Sequence, residues 1–210
     1  MSRGDGMETP RPYRMRRRAE RIDDTRLKIV EAAVQLHGTV GPAATTVMGV
    51  ADKAGVTRAT VYRHFPDDAS LFAACSAHWL ARQLVPDPAA WAAVTDPEDR
   101  VRAGLTDLYR FYRAGEQMLT RIYRDIAALP EQRRRDLRSR DEHVRDVLLA
   151  TFPPRIRRRQ SLRAVVGHAV SFWTWRSLCV DHELSDQAAV DVMADLAMMT
   201  TRPARSAPRS

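Results

Sequence analysis

The stretch Gly55–Phe65, GVTRATVYRHF, decides the fold. Upstream of it Val47, Val50, Ala51 and Ala54 recur at helical spacing, so a first helix can bury one stripe before Gly55 supplies a left-handed turn that a side chain would resist. Thr57 then caps a second helix. Within that helix Val61 and Phe65 lie four apart on one face and turn inward with Val56, while Arg58, Thr60, Tyr62, Arg63 and His64 place donors around the remainder. No Asp or Glu interrupts it.

This is the layout of a helix-turn-helix, and the absence of acid on its second helix suits a surface that lies against phosphates, whose charge supplies most of the binding energy. Helix-turn-helix geometry brings the first residues of the recognition helix nearest the base edges, which makes Arg58 and Ala59 the leading base readers.

The longer run Thr45–Phe72, TTVMGVADKAGVTRATVYRHFPDDASLF, resembles the N-terminal DNA-binding domain of the TetR family of bacterial transcriptional regulators. Thr46, Ala51, Gly55, Val56, Thr60, Val61, Tyr62, His64, Phe65 and Leu71 all fall where that family's pattern wants them. The resemblance covers about the first third of the chain. It implies that Thr46 caps the first motif helix near a phosphate, that Thr57 opens the contacting helix, that Thr60, Tyr62 and His64 hold the DNA backbone, and that Arg58, Ala59 and Arg63 face bases. Two positions depart from the pattern. Asp67 and Asp68 stand where a lysine often grips phosphate, and acids there favour a helix N-terminus and disfavour DNA. Met48 replaces a polar or basic residue and leaves the first helix only apolar contact, for example with a thymine methyl.

The net charge of +8 is uneven: residues 1–66 hold 12 basic and 7 acidic side chains, and residues 67–210 hold 22 and 19. The charge concentrates where the motif sits. Arg11, Arg14, Arg16, Arg17, Arg18 and Arg21 stand in a stretch with Gly4, Gly6, Pro10 and Pro12, read here as a disordered basic arm over residues 1–21. Such an arm either enters the minor groove or remains a solvated tail attracted to polyanions without specificity. No apolar run approaches a membrane span of ~18 residues, and the start of the chain has no apolar signal core, so a cytoplasmic protein is expected. Cys75 and Cys179 form neither metal spacing nor a disulfide framework, and apolar neighbours of Cys75 would raise its thiol pKa and oppose a redox role.

Periodicity elsewhere is helical throughout, which makes the fold class all-α, about nine helices in all. A helix-turn-helix domain is expected over 22–67, an effector-binding and dimerisation domain over 68–200, and a disordered tail over 201–210. Helix one is expected from about Asp23 or Asp24 to Leu36, with Ile22, Val30, Ala33 and Val34 apolar. A long fourth helix should run from Asp67 or Asp68 to about Arg82 and join the DNA reader to everything downstream. Further helices are expected from Glu98 to Ala114, Glu116 to Leu129 and Glu131 to Phe152, with Gly115 breaking the first pair. From Arg155 one long helix should reach about His182, followed by a last helix from Asp186 to Met199 capped by Ser185.

The last two helices are apolar over more than one stripe, which a second copy of the chain would bury. Candidate dimer contacts are Val165, Ala169, Phe172, Trp173, Arg176 and Val180 from one helix and Val192, Leu196 and Met199 from the other; ordinary packing within one chain is the competing reading. The family resemblance also implies a small-molecule pocket. Its best lining candidates are Trp79, Tyr109, Tyr112, Met118, Tyr123, His168 and Phe172, a set poor in acids that favours a mainly apolar ligand; the same stripes serve equally as core. No His, Cys or acid spacing assembles a metal site, and no cofactor is expected. There is no phosphate-binding glycine loop, nucleophile elbow or zincin pair, so a helical enzyme has little to stand on. The resulting expectation is a homodimeric repressor on a palindromic double-stranded operator, released by a small molecule; a constitutive DNA-binding regulator without an effector is the alternative.

Overall fold

The computed structural model describes residues 11–202, and the chain divides into two compact units between Trp79 and Leu80. Among the described residues there is no strand. No helix among them is long and apolar enough to cross a membrane.

The N-terminal unit comprises α1 (Arg11–Thr39), α2 (Val47–Ala54), α3 (Arg58–His64) and α4 (Asp68–Leu80) up to Trp79, the last residue of α4 belonging to the second unit. The disordered arm expected over 1–21 is helical from Arg11 onward, while residues 1–10 lie outside the described residues. Arginine, alanine and glutamate are good helix formers, and Arg16 pairs with Glu20 one turn on at 3.1 Å, so the segment extends the helix that follows it. Of the apolar residues of this helix Ile22 is 48% exposed, whereas Ile29, Val30 and Ala33 are buried. They pack with Val50, Ala51, Val61, Phe65, Leu71 and Cys75 into one core. Asp67 caps α4: its Oδ1 accepts from Ser70 N–H at 2.7 Å, which holds the carboxyl below its usual range. The acid at this departure from the family pattern therefore starts a helix.

The C-terminal unit follows the end of α4 with α5 (Pro88–Ala92), α6 (Pro97–Arg124), α7 (Glu131–Leu149), α8 (Pro154–Arg157), α9 (Gln160–Ala169), α10 (Phe172–Arg176) and α11 (Asp186–Met199). Eleven α segments thus stand among the described residues where about nine were expected. The extra pieces are short ones that proline starts, α5 and α8, and a break within the helix expected from Arg155 to His182. One break expected at Gly115 is absent. That glycine is buried inside a continuous α6, whose stripe of Leu105, Leu108, Tyr109, Tyr112 and Leu119 carries on across it, and such burial outweighs the ~1 kcal/mol that a helical glycine costs.

α6 is the central element and packs on α5, α7, α10 and α11. Close approach to α7 and α5 depends on Gly104, where an added Cβ would come within 2.3 Å of Leu148 Cδ2 and 3.3 Å of the Trp91 ring. Arg100 is 6% exposed and donates to the carbonyls of Ala92, Val94 and Val147, tying the α5–α6 connection to the end of α7. On the opposite side Arg102 bridges α6 to α11 through Asp191 and Asp195, both at 2.6 Å.

The break after α9 has a cause far away in sequence. Ser171 caps α10 by accepting from Trp173 N–H, and the carbonyls released at the end of α9 are taken up from α6: Tyr109 Oη donates to Ala169 O at 2.9 Å and Tyr112 Oη to Val170 O at 2.7 Å. Beyond α10 the chain widens into a π-helical turn over Ser177–Asp181. The last helix begins as expected, with Ser185 Oγ accepting from Ala188 N–H at 3.1 Å. The expected tail lies outside the described residues beyond Arg202.

Candidate nucleic-acid interface

The α2–α3 turn is built from its caps. Thr46 Oγ1 accepts from Gly49 N–H at 3.0 Å and opens α2. Gly55 closes that helix in the left-handed region, φ 67°, ψ 36°, and Val56 N–H donates back to Ala51 O at 3.0 Å, which completes a Schellman turn. No neighbouring atom comes within 4 Å of a Cβ built on Gly55, so its requirement is conformational rather than steric. Thr57 Oγ1 accepts from Thr60 N–H at 3.2 Å and lies 3.0 Å from Thr60 Oγ1, fixing the start of α3.

With the ends set, the two faces of α3 follow. Val61 and Phe65 are almost fully buried, while Arg58, Ala59, Tyr62 and Arg63 are exposed and form one strip, 58 beside 62 and 59 beside 63. Arg58 is folded along this strip: its guanidinium lies 5.4 Å from the Tyr62 ring centroid and its Nη2 donates to Tyr62 Oη at 3.3 Å. His64 is only partly exposed, and burial, helped by Arg63 and Arg26, lowers its pKa and keeps it neutral near pH 7. Met48, on α2, is 55% exposed.

One contributor has no signal in the motif. Arg26 of α1 donates through Nη1 to His64 O at 3.0 Å and stacks 4.2 Å over Phe65, so it caps the carbonyl end of the recognition helix and clamps its last buried ring. Its partners stand 38 and more residues downstream, beyond the reach of any local pattern.

The sequence model "Bacterial regulatory proteins, tetR family" matches residues 29–75, the span that holds this entire motif. Over this span the chain carries a DNA-binding domain of the TetR-family type. The regulator TtgR of Pseudomonas putida, described as an HTH-type transcriptional regulator, is 42% identical over 57 residues, 27% of each chain. The match thus spans about a quarter of that relative's length. Solved structures carry the likeness over the rest of the fold. A TetR-like transcriptional regulator from Rhodococcus sp. RHA1 superposes with a TM-score of 0.59 at 21% identity, covering 83% of this chain and 93% of the other. The multidrug binding protein EbrR, complexed with imidazole, does so at 0.53 with 25% identity over 98% and 100%.

The other expected TetR-family sites fare differently. Tyr109, Tyr112 and Phe172 are fully buried and pack ring against ring, Tyr112 on Phe172 at 5.4 Å, with both tyrosine hydroxyls committed to carbonyls at the end of α9. They form part of the core of the C-terminal unit. Tyr123 stacks on Phe172 at 5.0 Å, Trp79 and Met118 are half-buried, and His168 is exposed, its Nδ1 3.2 Å from Thr174 Oγ1. A cavity of about 310 Å³ lies elsewhere in the C-terminal unit, lined by Leu80, Leu108, Phe111, Leu137 and Val144 together with Arg133, Asp136 and Arg140. None of the seven expected residues lines it. Tyr123 reaches it indirectly, because its hydroxyl accepts from Arg140 Nη2 at 2.7 Å.

Among the dimer candidates, Trp173, Val192, Leu196 and Met199 are 46%, 50%, 41% and 61% exposed, an apolar group spread over α10 and α11. Val165, Arg176 and Val180 are half-buried. Ala169 and Phe172 are buried inside a single chain and drop out of this face, because the break after α9 turns them toward α6. Among the described residues no group of His, Cys, Asp or Glu gathers as a metal site. Cys75 is 3% exposed, and burial pushes its thiol up to about 12, which disfavours the thiolate.

Proposed function

We propose that this TetR-family, DNA-binding protein is a homodimeric transcriptional repressor that reads a palindromic operator and is released from it by a small molecule. The observation that carries the reading is the exposed, acid-free strip of α3 between two side-chain-capped turns. In this reading Arg58, Ala59 and Arg63 face base edges in the major groove, and Thr46, Thr57, Thr60, Tyr62 and His64 hold phosphates on either side. Two copies joined through Trp173, Val192, Leu196 and Met199 present two recognition helices to half-sites about one helical turn, roughly 34 to 36 Å, apart or multiples of it. The effector occupies the 310 Å³ cavity. Leu80 in its wall is the last residue of α4, whose earlier turns place Leu71 and Cys75 in the core of the DNA-binding unit, so the two sites share one helix.

Selection of duplexes from a random library at two salt concentrations tests the reading. An enriched palindrome that survives the higher salt is expected. Arg58→Ala should then weaken discrimination at particular base pairs by roughly 1 to 3 kcal/mol, as the loss of a bidentate guanine contact would. Unchanged sequence preference would remove Arg58 as the base reader. Operator binding insensitive to every cavity ligand would leave a regulator without an effector.

A further inference from the structure

The 310 Å³ cavity in the C-terminal unit is apolar on most sides and charged on one. Leu80, Val85, Leu108 and Phe111 face it from α4, the following loop and α6, with Pro86 and Pro88 beside them. The charge comes from α7 alone. Arg133 and Arg140 are seven residues apart, two turns of one stripe, with Leu137 between them and Val144 one turn beyond.

The two guanidiniums retain hydrogen-bonding capacity. Arg133 meets Asp136 only at 3.7 Å, while Asp136 also accepts from Gln132 Nε2 at 2.9 Å. Arg140 donates through Nε and Nη2 to Asp141 and through Nη2 to Tyr123 Oη, which leaves its Nη1 without a hydrogen-bond partner among the described residues. The lining therefore offers two guanidiniums and the Asp136 carboxylate, with Asp141 pairing Arg140 from just outside it. A neutral apolar ligand would desolvate these donors and return nothing, and a cation would meet only Asp136, an acceptor already engaged by Gln132 and Arg133.

We infer that the effector is an apolar monocarboxylic acid, its hydrocarbon body among the leucines and Phe111 and its carboxylate on Arg140 Nη1 and Arg133. This inference rests on the cavity being the effector site. The carboxylate completes the guanidinium that already holds Tyr123. Because Tyr123 stacks on Phe172, and Phe172 meets the exposed ring of Trp173 at 5.4 Å, ligand arrival is felt along a continuous row of contacts ending on the face proposed for dimerisation.

Calorimetry on the purified full chain decides the matter with three probes of one body, decanoate, 1-decanol and decyltrimethylammonium, all below their micellar concentrations. Decanoate is expected to bind about ten- to a hundredfold more tightly than decanol, the range of a hydrogen bond to a charged group. Arg140→Met should bring decanoate to the level of decanol. Arg133→Gln, on a partly exposed side chain and therefore safe for folding, should lower decanoate alone by several-fold. Decanol equal to decanoate, or the ammonium probe binding best, overturns the ligand class while leaving the cavity as a site. Failure of all three to bind, or binding that survives filling the cavity with Leu137→Trp, overturns the cavity itself.

Discussion

His37 shows how a single buried side chain sets a pH limit on the DNA-binding unit. It is 8% exposed and lies against Phe72 with ring centroids 5.2 Å apart, and burial pushes its pKa down to about 4 from the ordinary 6.5. The folded form holds the ring neutral while the unfolded chain takes up a proton. Stability from this group is therefore complete above pH 6.5 and falls as the pH drops toward 4, by roughly 3 kcal/mol in all. Denaturant midpoints measured from about pH 7 to 4.5 should decline, and His37→Phe should flatten the decline; an unchanged slope would place the acid sensitivity elsewhere. Arg26 makes the complementary point about legibility. The readers of α3 are visible in the sequence because caps, turn and buried pair are all local, but the clamp on the far end of that helix comes from α1 and leaves no local trace. Arg26→Met should weaken operator and random DNA alike by about tenfold, the effect of about 1.4 kcal/mol of lost helix anchoring, measurable by titrating both duplexes.

At the scale of elements, terminal signals were more legible than interior ones. Thr46, Thr57 and Ser185 cap the helices expected of them, because a capping hydroxyl acts within three residues. Gly115 and the Arg155–His182 segment misled for opposite reasons. A glycine inside a strong apolar stripe does not stop a helix, and a helix can stop where no local breaker stands if remote donors satisfy its end, as Tyr109 and Tyr112 do for α9. The same use of those hydroxyls fixes both tyrosine side chains in the core of the C-terminal unit. Arg100 plays this part for the α5–α6 connection and for Val147 in the last turn of α7. Replacing it by Met keeps the apolar bulk but strands three carbonyls, and should destabilise the C-terminal unit by about 3 kcal/mol or more in chemical denaturation. A loss below about 1 kcal/mol would mean that water replaces it.

For the whole molecule, the exposed apolar group on α10 and α11 is the strongest statement about assembly that the chain makes. Leu196→Glu places a charge in its midst and should convert a dimer to a monomer at micromolar concentration in sedimentation analysis, with weaker occupancy of a two-half-site operator and little change on a single half-site. A dimer that persists would move the interface to another surface. The sequence disclosed this face only as an excess of apolar residues, since periodicity cannot say which of two stripes another helix of the same chain will cover. One of its members carries an experimental dividend. Of the four tryptophans, Trp91 and Trp175 are buried and hydrogen-bonded and Trp79 is half-buried, whereas Trp173 alone is exposed. Its indole should emit at the red edge in a lone subunit and, in the proposed dimer, shift blue under the second subunit, which would give an unlabelled protein its own optical record of subunit exchange.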